Sequence, residues 1–173
     1  KLVNKMIERT LVLIKPDGVQ RKLIGKIIDR FESNGLEITE MKLINAEREI
    51  IEKHYPAEEE YLITLGKKGS DAGDKIKDFK EQGMMIIKWL RSYLVGNDII
   101  AIVISGKNAI AKVRELVGST NPAKAEKGTI RGDFGMDDIL SANKEKRAVR
   151  NLIHASGNKE EAEREIKLWF SDD

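Results

Sequence analysis

The chain has 173 residues, of which 40% are hydrophobic, so it is long enough to form one folded domain with its own core. Charged residues make up 35%, yet the formal net charge is only +2 and the two signs are interleaved, which argues against a dedicated nucleic-acid-binding surface. There is no cysteine, which excludes disulfides, thiolate metal sites and a cysteine nucleophile.

The N-terminal half predicts two strands, each followed by a helix. Residues 8–14 (ERTLVLI) form an apolar, β-branched run that a Lys-Pro-Asp-Gly turn ends, which is typical of a strand, and residues 24–31 carry apolar side chains at helical spacing. Residues 36–45 predict a second strand, and residues 46–54 predict a short charged helix that ends before a Tyr-Pro pair. Residues 58–83 are charged and contain several glycines, and we expect one or two short helices there.

The C-terminal half predicts two further strands. Residues 85–94 predict an amphipathic helix, residues 99–104 (IIAIVI) a buried central strand, and residues 108–117 another helix. Residues 119–150 show no periodicity, and a segment of this length is either functional or disordered. Residues 151–156 predict the last, short strand.

A final helix is predicted after Asn158, because Glu161 three residues later completes an N-terminal capping pattern. This order predicts an α/β chain of the α+β type, a ferredoxin-like βαββαβ sandwich in which a four-stranded antiparallel sheet has its helices on one face. A doubly wound parallel sheet would need a glycine-rich fingerprint after the first strand, which is absent. We expect a single domain over residues 6–173, with an insertion at about 57–83, and residues 1–5 as a tag or a native extension.

His154 is the candidate nucleophile. It lies in a predicted strand, after an arginine-bearing segment and before a helix rich in glutamates. A neutral imidazole among cations is a suitable phosphoryl acceptor, and Glu161 or Glu165 is within reach to fix its second nitrogen. From the residues alone, a structural histidine is the default interpretation of such a position, and the nucleophile is the alternative. The other histidine, His54, ends a charged helix and is interpreted as structural.

Several side chains are candidates for binding an anion, but no Walker A motif accompanies them. Lys15 follows the first strand, Arg114 lies on a predicted helix and Thr120 lies in a turn; each also has an ordinary structural interpretation. Arg131 lies in a glycine-containing loop, where phosphate binding and an internal salt link to Asp133 are both compatible with the sequence.

Six segments match one family's motifs in that family's order. They are residues 10–21 (TLVLIKPDGVQR), 54–55 (HY), 114–122 (RELVGSTNP), 128–134 (GTIRGDF), 151–154 (NLIH) and 162–170 (AEREIKLWF). Through them the chain resembles the nucleoside diphosphate kinase family over about residues 6–170. The resemblance implies transfer of the terminal phosphate of a nucleoside triphosphate to a nucleoside diphosphate, by a ping-pong mechanism through a phosphohistidine on His154.

The resemblance also implies roles for further residues. Glu165 would orient the imidazole, and Ser156 would hydrogen-bond to Glu165. The implied nucleotide-binding residues are Lys15, Tyr55, Arg114, Thr120, Arg131 and Asn151. Lys15 and Asn151 would contact the sugar hydroxyls, with Lys15 also near the transferred phosphate, and the two arginines and the threonine would contact the phosphates.

Cofactor and partners follow from the same resemblance. Mg²⁺ would be held mainly by the nucleotide phosphates, ATP would be the usual donor, and the chain would form a homo-oligomer, a hexamer in preference to a tetramer. Subunit contacts are expected in the segment 119–150, anchored at Pro122. We expect a cytoplasmic protein with no membrane association and no specific nucleic acid, because no apolar run is long enough to span a bilayer and no apolar segment of a signal peptide is visible.

The sequence departs from the family's pattern after the histidine, where Ala155, Ser156 and Gly157 stand in place of Gly-Ser-Asp. The segment between Tyr55 and Trp89 is also longer and lacks the family's aromatic pair. The residue that stacks on the base therefore stays open among Ile86, Phe79 and Tyr61.

Two alternatives are retained. A non-catalytic, nucleotide-binding regulatory module on the same fold would bind nucleotide without phosphorylation of His154. A nucleic-acid binder would need exposed aromatic residues on the sheet and a basic stripe, and the sequence shows neither.

Overall fold

A four-stranded antiparallel sheet forms the centre of the molecule in a computed structural model that describes residues 7–171. Its strands are β1 Ile7–Ile14, β2 Glu37–Asn45, β3 Asp98–Lys107 and β4 Ile153–Ala155, in the spatial order β2-β3-β1-β4. All four were predicted at these places in the sequence. Residues 1–5, predicted as a tag or extension, lie outside the described residues.

The helices connect these strands. They are α1 Pro16–Gln20, α2 Ile24–Glu32, α3 Arg48–His54, α4 Glu59–Asp71, α5 Phe79–Leu94, α6 Ala109–Val117, α7 Ile130–Phe134, α8 Ile139–Lys144 and α9 Lys159–Phe170. The predicted cap of the last helix is confirmed, because the Asn158 side chain accepts from the backbone N–H of Glu161 at 2.9 Å. Within residues 7–171, no helix combines the length and the apolar character needed to cross a bilayer.

The sheet is covered on both faces. On one face α2 and α6 pack on Val12, Ile14 and Ile102, as expected for the βαββαβ core. On the other face helices α3, α4, α5 and α9 enclose a second core with Leu11 and Leu13. The fold prediction is confirmed for the βαββαβ core, but additional helices also cover the second face, for a physical reason. Consecutive residues of a strand point to opposite faces, so the unbroken apolar run of β1 requires cover on both.

The segment 58–83 contains α4 and the start of α5, which form a helical hairpin, so the helices expected there are present but longer than predicted. Helix α4 has 13 residues, and α5 begins at Phe79, six residues before the predicted start. The glycines are contact points between helices: a Cβ at Gly66 would lie 2.0 Å from the backbone oxygen of Phe79, and one at Gly83 would lie 1.9 Å from that of Leu62. Glycine therefore allows α4 and α5 to touch backbone to backbone.

The aperiodic segment 119–150 is folded by side-chain contacts. It contains a 3₁₀ turn at Pro122–Lys124 and helices α7 and α8. The Asn121 amide oxygen accepts from the backbone of Ile139 at 3.2 Å, and its nitrogen donates to Asp138 at 2.9 Å. Arg147 pairs with Asp137 at 2.6 Å. Polar side-chain contacts thus hold this segment together, and because it has no apolar periodicity its fold could not be predicted from the sequence pattern.

Candidate active site

Strand β4 places His154 at the sheet's edge, paired with Leu13 of β1. The residue that enters the strand, Leu152, has a φ of +70°, a conformation that costs a branched side chain roughly 1–3 kcal/mol. Two hydrogen bonds hold it: Lys15 N–H donates to the Leu152 carbonyl at 2.8 Å, and Leu152 N–H donates to Asp17 Oδ2 at 3.0 Å. The turn before His154 is therefore fixed from both sides.

Glu165 orients the imidazole of His154. Its Oε2 lies 3.0 Å from His154 Nε2 and accepts from the Ser156 hydroxyl at 2.6 Å, while the glutamate itself is only 2% exposed. Burial opposes ionisation, but the charge and hydrogen bond of His154 outweigh it and lower the pKa of Glu165 to about 2. An ionised acceptor at Nε2 selects the tautomer with its proton there, which leaves the Nδ1 lone pair for chemistry.

A ring of aromatic side chains packs around the nucleophile. The His54 ring centre lies 4.5 Å from that of His154 in an edge-to-face arrangement, and Tyr55 lies 6.0 Å away. His54 Nδ1 accepts from the Trp169 indole at 3.1 Å, and burial together with the charge of His154 lowers the pKa of His54 well below its usual value. The interpretation of His54 as structural is incomplete, because this neutral ring packs directly on the candidate nucleophile.

Lys15 and Asn151 form a buried polar pair beside His154. The ammonium of Lys15 donates to Asn151 Oδ1 at 2.9 Å, and the Asn151 amide donates to the Thr120 carbonyl at 3.0 Å. Burial and the nearby charge of Arg131 lower the pKa of Lys15 to about 7. A desolvated lysine of this kind is stabilised in its charged form by an arriving anion.

Arg131 is buried and donates to backbone carbonyls rather than to a carboxylate. Its guanidinium reaches the carbonyls of Asn151 at 3.1 Å, Ile153 at 2.6 Å and Gly118 at 3.1 Å. The salt link to Asp133 considered from the sequence is wrong, since Asp133 pairs with Arg30 at 2.6 Å. Arg131 therefore supports the backbone that flanks His154 and adds a positive charge beneath the site.

A cavity of about 120 Å³ opens in front of His154. Four of the six predicted nucleotide-binding residues line it with the histidine: Lys15, Tyr55, Thr120 and Asn151. Arg131 does not line this cavity, and Arg114 is an exposed residue of α6 that lines a neighbouring groove. Burial raises the pKa of the Tyr55 hydroxyl, which keeps it protonated as a hydrogen-bond donor.

The outer wall of the cavity was not predicted. It consists of apolar and cationic side chains from α4, α5 and the α8 region, which are Tyr61, Leu65, Lys68, Ile86, Trp89, Leu90, Ile139, Arg147, Ala148 and Val149. Of the three candidates for stacking on a base, Ile86 and Tyr61 line the cavity and Phe79 does not. Most of the wall residues lie on helices whose charged sequences give no sign of a ligand, and Arg147, Ala148 and Val149 follow the end of α8.

Two further residues behave differently from the sequence interpretation. Asp17 accepts from the Tyr93 hydroxyl at 2.9 Å as well as from Leu152, so it positions the entry to β4; its only signal was its place in the turn after β1. Gly157, where the family pattern has an aspartate, donates its N–H to Glu161 at 2.7 Å. Glu161 therefore binds this turn, and Glu165 is the carboxylate at the histidine.

One group of side chains combines donors suitable for a metal ion. Donor atoms of His54, His154 and Glu165 lie within 4.8 Å of one another. This set offers two imidazole nitrogens, one of them from the candidate nucleophile itself, and one carboxylate, whereas Mg²⁺ prefers oxygen ligands. No carboxylate lines the cavity among the residues that the structure describes, so Mg²⁺ fits the site only as an ion held mainly by ligand oxygens.

A carboxylate-oriented histidine that faces a lysine-lined cavity defines the class of enzymes that transfer a phosphoryl group through histidine. The model of the nucleoside diphosphate kinase family matches residues 8–63 and 72–173, and the chain belongs to this family. It is 43% identical to a nucleoside diphosphate kinase of Pyrobaculum aerophilum, with 96% of this chain and 97% of the relative covered. It is 45% identical to one of Methanocaldococcus jannaschii, with 97% and 96% covered.

Solved structures agree with the fold. The NDP kinase of Pyrobaculum aerophilum superposes with a TM-score of 0.89 at 40% identity, covering 96% of this chain and 97% of that one. A transition-state mimic of the Borrelia burgdorferi enzyme with bound vanadate and ADP superposes with a TM-score of 0.80 at 32% identity, covering 96% and 88%. The ferredoxin-like α+β prediction is thereby confirmed.

Proposed function

We propose that this chain transfers the terminal phosphate of a nucleoside triphosphate to a nucleoside diphosphate through a phosphohistidine on His154. The observation that carries this proposal is the contact of His154 Nε2 with a buried, ionised Glu165, which leaves Nδ1 free beside a cavity lined by Lys15 and Asn151. The vanadate and ADP held by the Borrelia burgdorferi relative are the chemistry that such a site would bind.

The reaction follows from this geometry. Nδ1 of His154 attacks the γ-phosphorus of the donor; the bond from phosphorus to the bridging oxygen breaks, and its electron pair leaves with the nucleoside diphosphate. The imidazole keeps its Nε2 proton in the hydrogen bond to Glu165, and the carboxylate stabilises the positive charge that phosphorylation creates. A second nucleoside diphosphate then attacks the phosphohistidine in the reverse step, which gives ping-pong turnover.

The six residues implied by the resemblance are proposed to hold the nucleotide. Lys15 and Asn151 would bind the sugar hydroxyls, with Lys15 also near the transferred phosphate, and Thr120 and Arg114 would bind the phosphates. Tyr55 would donate from its hydroxyl in the cavity. Arg131 has its donors on backbone carbonyls, so its contribution to the phosphates would be its charge.

The proposal also includes Mg²⁺ as cofactor, ATP as the usual donor and a cytoplasmic location. The chain would form a homo-oligomer, a hexamer in preference to a tetramer. Mg²⁺ would neutralise charge on the phosphates of the nucleotide that carries it. Strand β2 lies at the edge of the sheet with Met41 and Leu43 53% and 63% exposed, a surface suited to subunit contact. A mass measurement in solution tests the assembly.

Incubation with γ-labelled ATP tests the reaction. We expect an acid-labile, base-stable phosphoprotein in the wild type, and release of the label when ADP is added. Nucleotide binding without any phosphoprotein would instead identify a regulatory module and overturn the proposal. A His154→Ala variant that still turns over would show that the nucleophile is misassigned.

A further inference from the structure

Helix α4 brings to the cavity a segment that the family model does not match. The unmatched residues are 64–71, and three of them, Leu65, Lys68 and Gly69, line the cavity in front of His154. The chemistry of this part of the wall is therefore not implied by the family pattern.

The position of α4 is fixed by the fold. Its Gly66 touches the backbone of α5, as described above. At its C-terminal end the carbonyl of Asp71 accepts from the Lys124 ammonium at 2.6 Å, which ties α4 to the turn that follows Thr120. A Cβ at Gly69 would lie 2.9 Å from the Asn143 amide nitrogen of α8. Side chains on the inner face of α4 are thus held over the site.

Lys68 is the cation on that inner face. It is half-buried, and it lines both the cavity with His154 and the adjoining groove with Ser119 and Thr120. No hydrogen bond or ion pair to its ammonium is found within residues 7–171. Burial and the charges of Arg131 and Arg114 lower the pKa of Lys68, and the charge of Glu161 opposes this with the smallest effect of the four.

This arrangement is unfavourable without an anion. A partly desolvated ammonium next to other cations loses hydration and is repelled, and an opposite charge is what offsets both effects. Lys68 and Lys15 line the same cavity, whose third cation, Arg147, is already paired with Asp137, and no carboxylate lines it among the described residues. The chemistry that satisfies them together is a ligand with several negative charges, such as a di- or triphosphate.

We propose that the ammonium of Lys68 binds the phosphate chain of the nucleotide, as a cation supplied by α4 in addition to Lys15 and Arg114. The proposal rests on the proposed function, since it assumes that the cavity holds a nucleotide. A lysine on a flexible stem binds non-bridging oxygens as a point charge and follows the phosphates without demanding one geometry. The segment 64–71 would then tighten binding of phosphorylated ligands without taking part in bond making.

The test compares Lys68→Met with Lys67→Met. Lys67 is the neighbouring lysine of the same unmatched segment, but it is exposed and does not line the cavity. We expect calorimetry to give an ADP dissociation constant roughly tenfold higher for Lys68→Met, as for a lost charge-assisted hydrogen bond, and an unchanged value for Lys67→Met. Lys68→Arg keeps the charge and should restore most of the affinity.

Two results would overturn the proposal: ADP binding within twofold of wild type in Lys68→Met, or a loss that Lys68→Arg does not reverse although both variants keep the wild-type Tm. Labelling with γ-labelled ATP at saturating concentration, run in parallel, separates this from the proposed function. A wild type that labels while Lys68→Met binds ADP normally refutes only the role of Lys68. A wild type that never labels while Lys68→Met still loses ADP affinity refutes only the phosphotransfer.

Discussion

The floor and the outer wall of the cavity are built on opposite principles. The floor, at the ends of β1 and β4, consists of Lys15, Asn151 and His154, which buried polar groups beneath it, such as Glu165 and Arg131, hold through hydrogen bonds inside the chain. The wall, from α4, α5 and the α8 region, consists mostly of apolar surface, together with Lys68, whose ammonium has no hydrogen bond or ion pair within residues 7–171, and Arg147, which pairs with Asp137. Preorganised groups suit the reacting atoms, whereas unpaired cations and apolar surface suit a ligand that arrives and leaves.

The comparison predicts that changes in the floor alter chemistry and changes in the wall alter binding. The largest effect is expected for His154→Ala, because it removes the atom that accepts the phosphate. Turnover measured by a coupled assay should fall by at least about a thousandfold. ADP affinity should stay within a few-fold of wild type, and a large loss of affinity would show that the floor also holds the ligand through this residue.

A smaller catalytic effect is expected for Glu165→Gln. The amide cannot stabilise a positive imidazole, so kcat should fall by roughly a hundredfold with little change in KM. Asn151→Ala should instead raise KM, because it removes a ligand contact. Equal changes in kcat and KM for both variants would contradict a division of labour within the floor.

Glu165 also predicts a dependence of stability on pH. Its folded pKa, about 2, lies below the unfolded value, so its contribution to the free energy of unfolding is present above about pH 4 and is lost as pH falls towards 2. Thermal unfolding of wild type and Glu165→Gln between pH 2 and 5 measures this. The slope for the variant should be shallower, and parallel curves would refute the assignment.

A substitution at Gly66 should weaken the packing of α4 on α5 in the wall. Gly66→Ala places a methyl group against the backbone of Phe79 and should lower the free energy of unfolding by about 1–3 kcal/mol. Gly25→Ala is the control: this helical glycine is exposed with nothing within 4 Å of an added Cβ, so its substitution should be neutral or slightly stabilising. Chemical denaturation of both variants decides whether the α4–α5 contact is as tight as described.

The smallest expected effect concerns Lys15. Its pKa of about 7 in the free protein should rise when phosphates arrive, so ADP binding near pH 7.5 should take up a fraction of a proton. Calorimetry in buffers of different ionisation enthalpy measures that uptake. It should decrease in Lys15→Met, and an identical uptake in the variant would assign the proton to another group.

The same comparison explains what could be predicted from the sequence. The floor was predictable, because β1 and β4 carry apolar runs and His154 follows motifs of a known family. The wall was not predictable, because glycines in a sequence usually indicate turns. Only the folded structure shows that the glycines of α4 lie inside a helix and allow close contact with neighbouring helices. The role of Arg131 stayed open and His54 was interpreted only as structural, because the sequence does not indicate that a guanidinium will bind backbone carbonyls or that one histidine ring will pack on another. The domain limits of 6–173 and the insertion at about 57–83 stay predictions.

Leu152, the residue with positive φ before β4, connects the two parts of the floor, the end of β1 and the start of β4. The Leu152 carbonyl accepts a hydrogen bond from the backbone N–H of Lys15, and the Leu152 N–H donates to the side chain of Asp17. These two bonds connect the segment that carries His154 to the segment that carries Lys15. Local opening of β4, a strand of only three residues, must break both bonds at once. If the proposed nucleotide binds at Lys15, we expect amide hydrogen exchange at Leu152 to slow, since binding the substrate and aligning the histidine would then be one cooperative event.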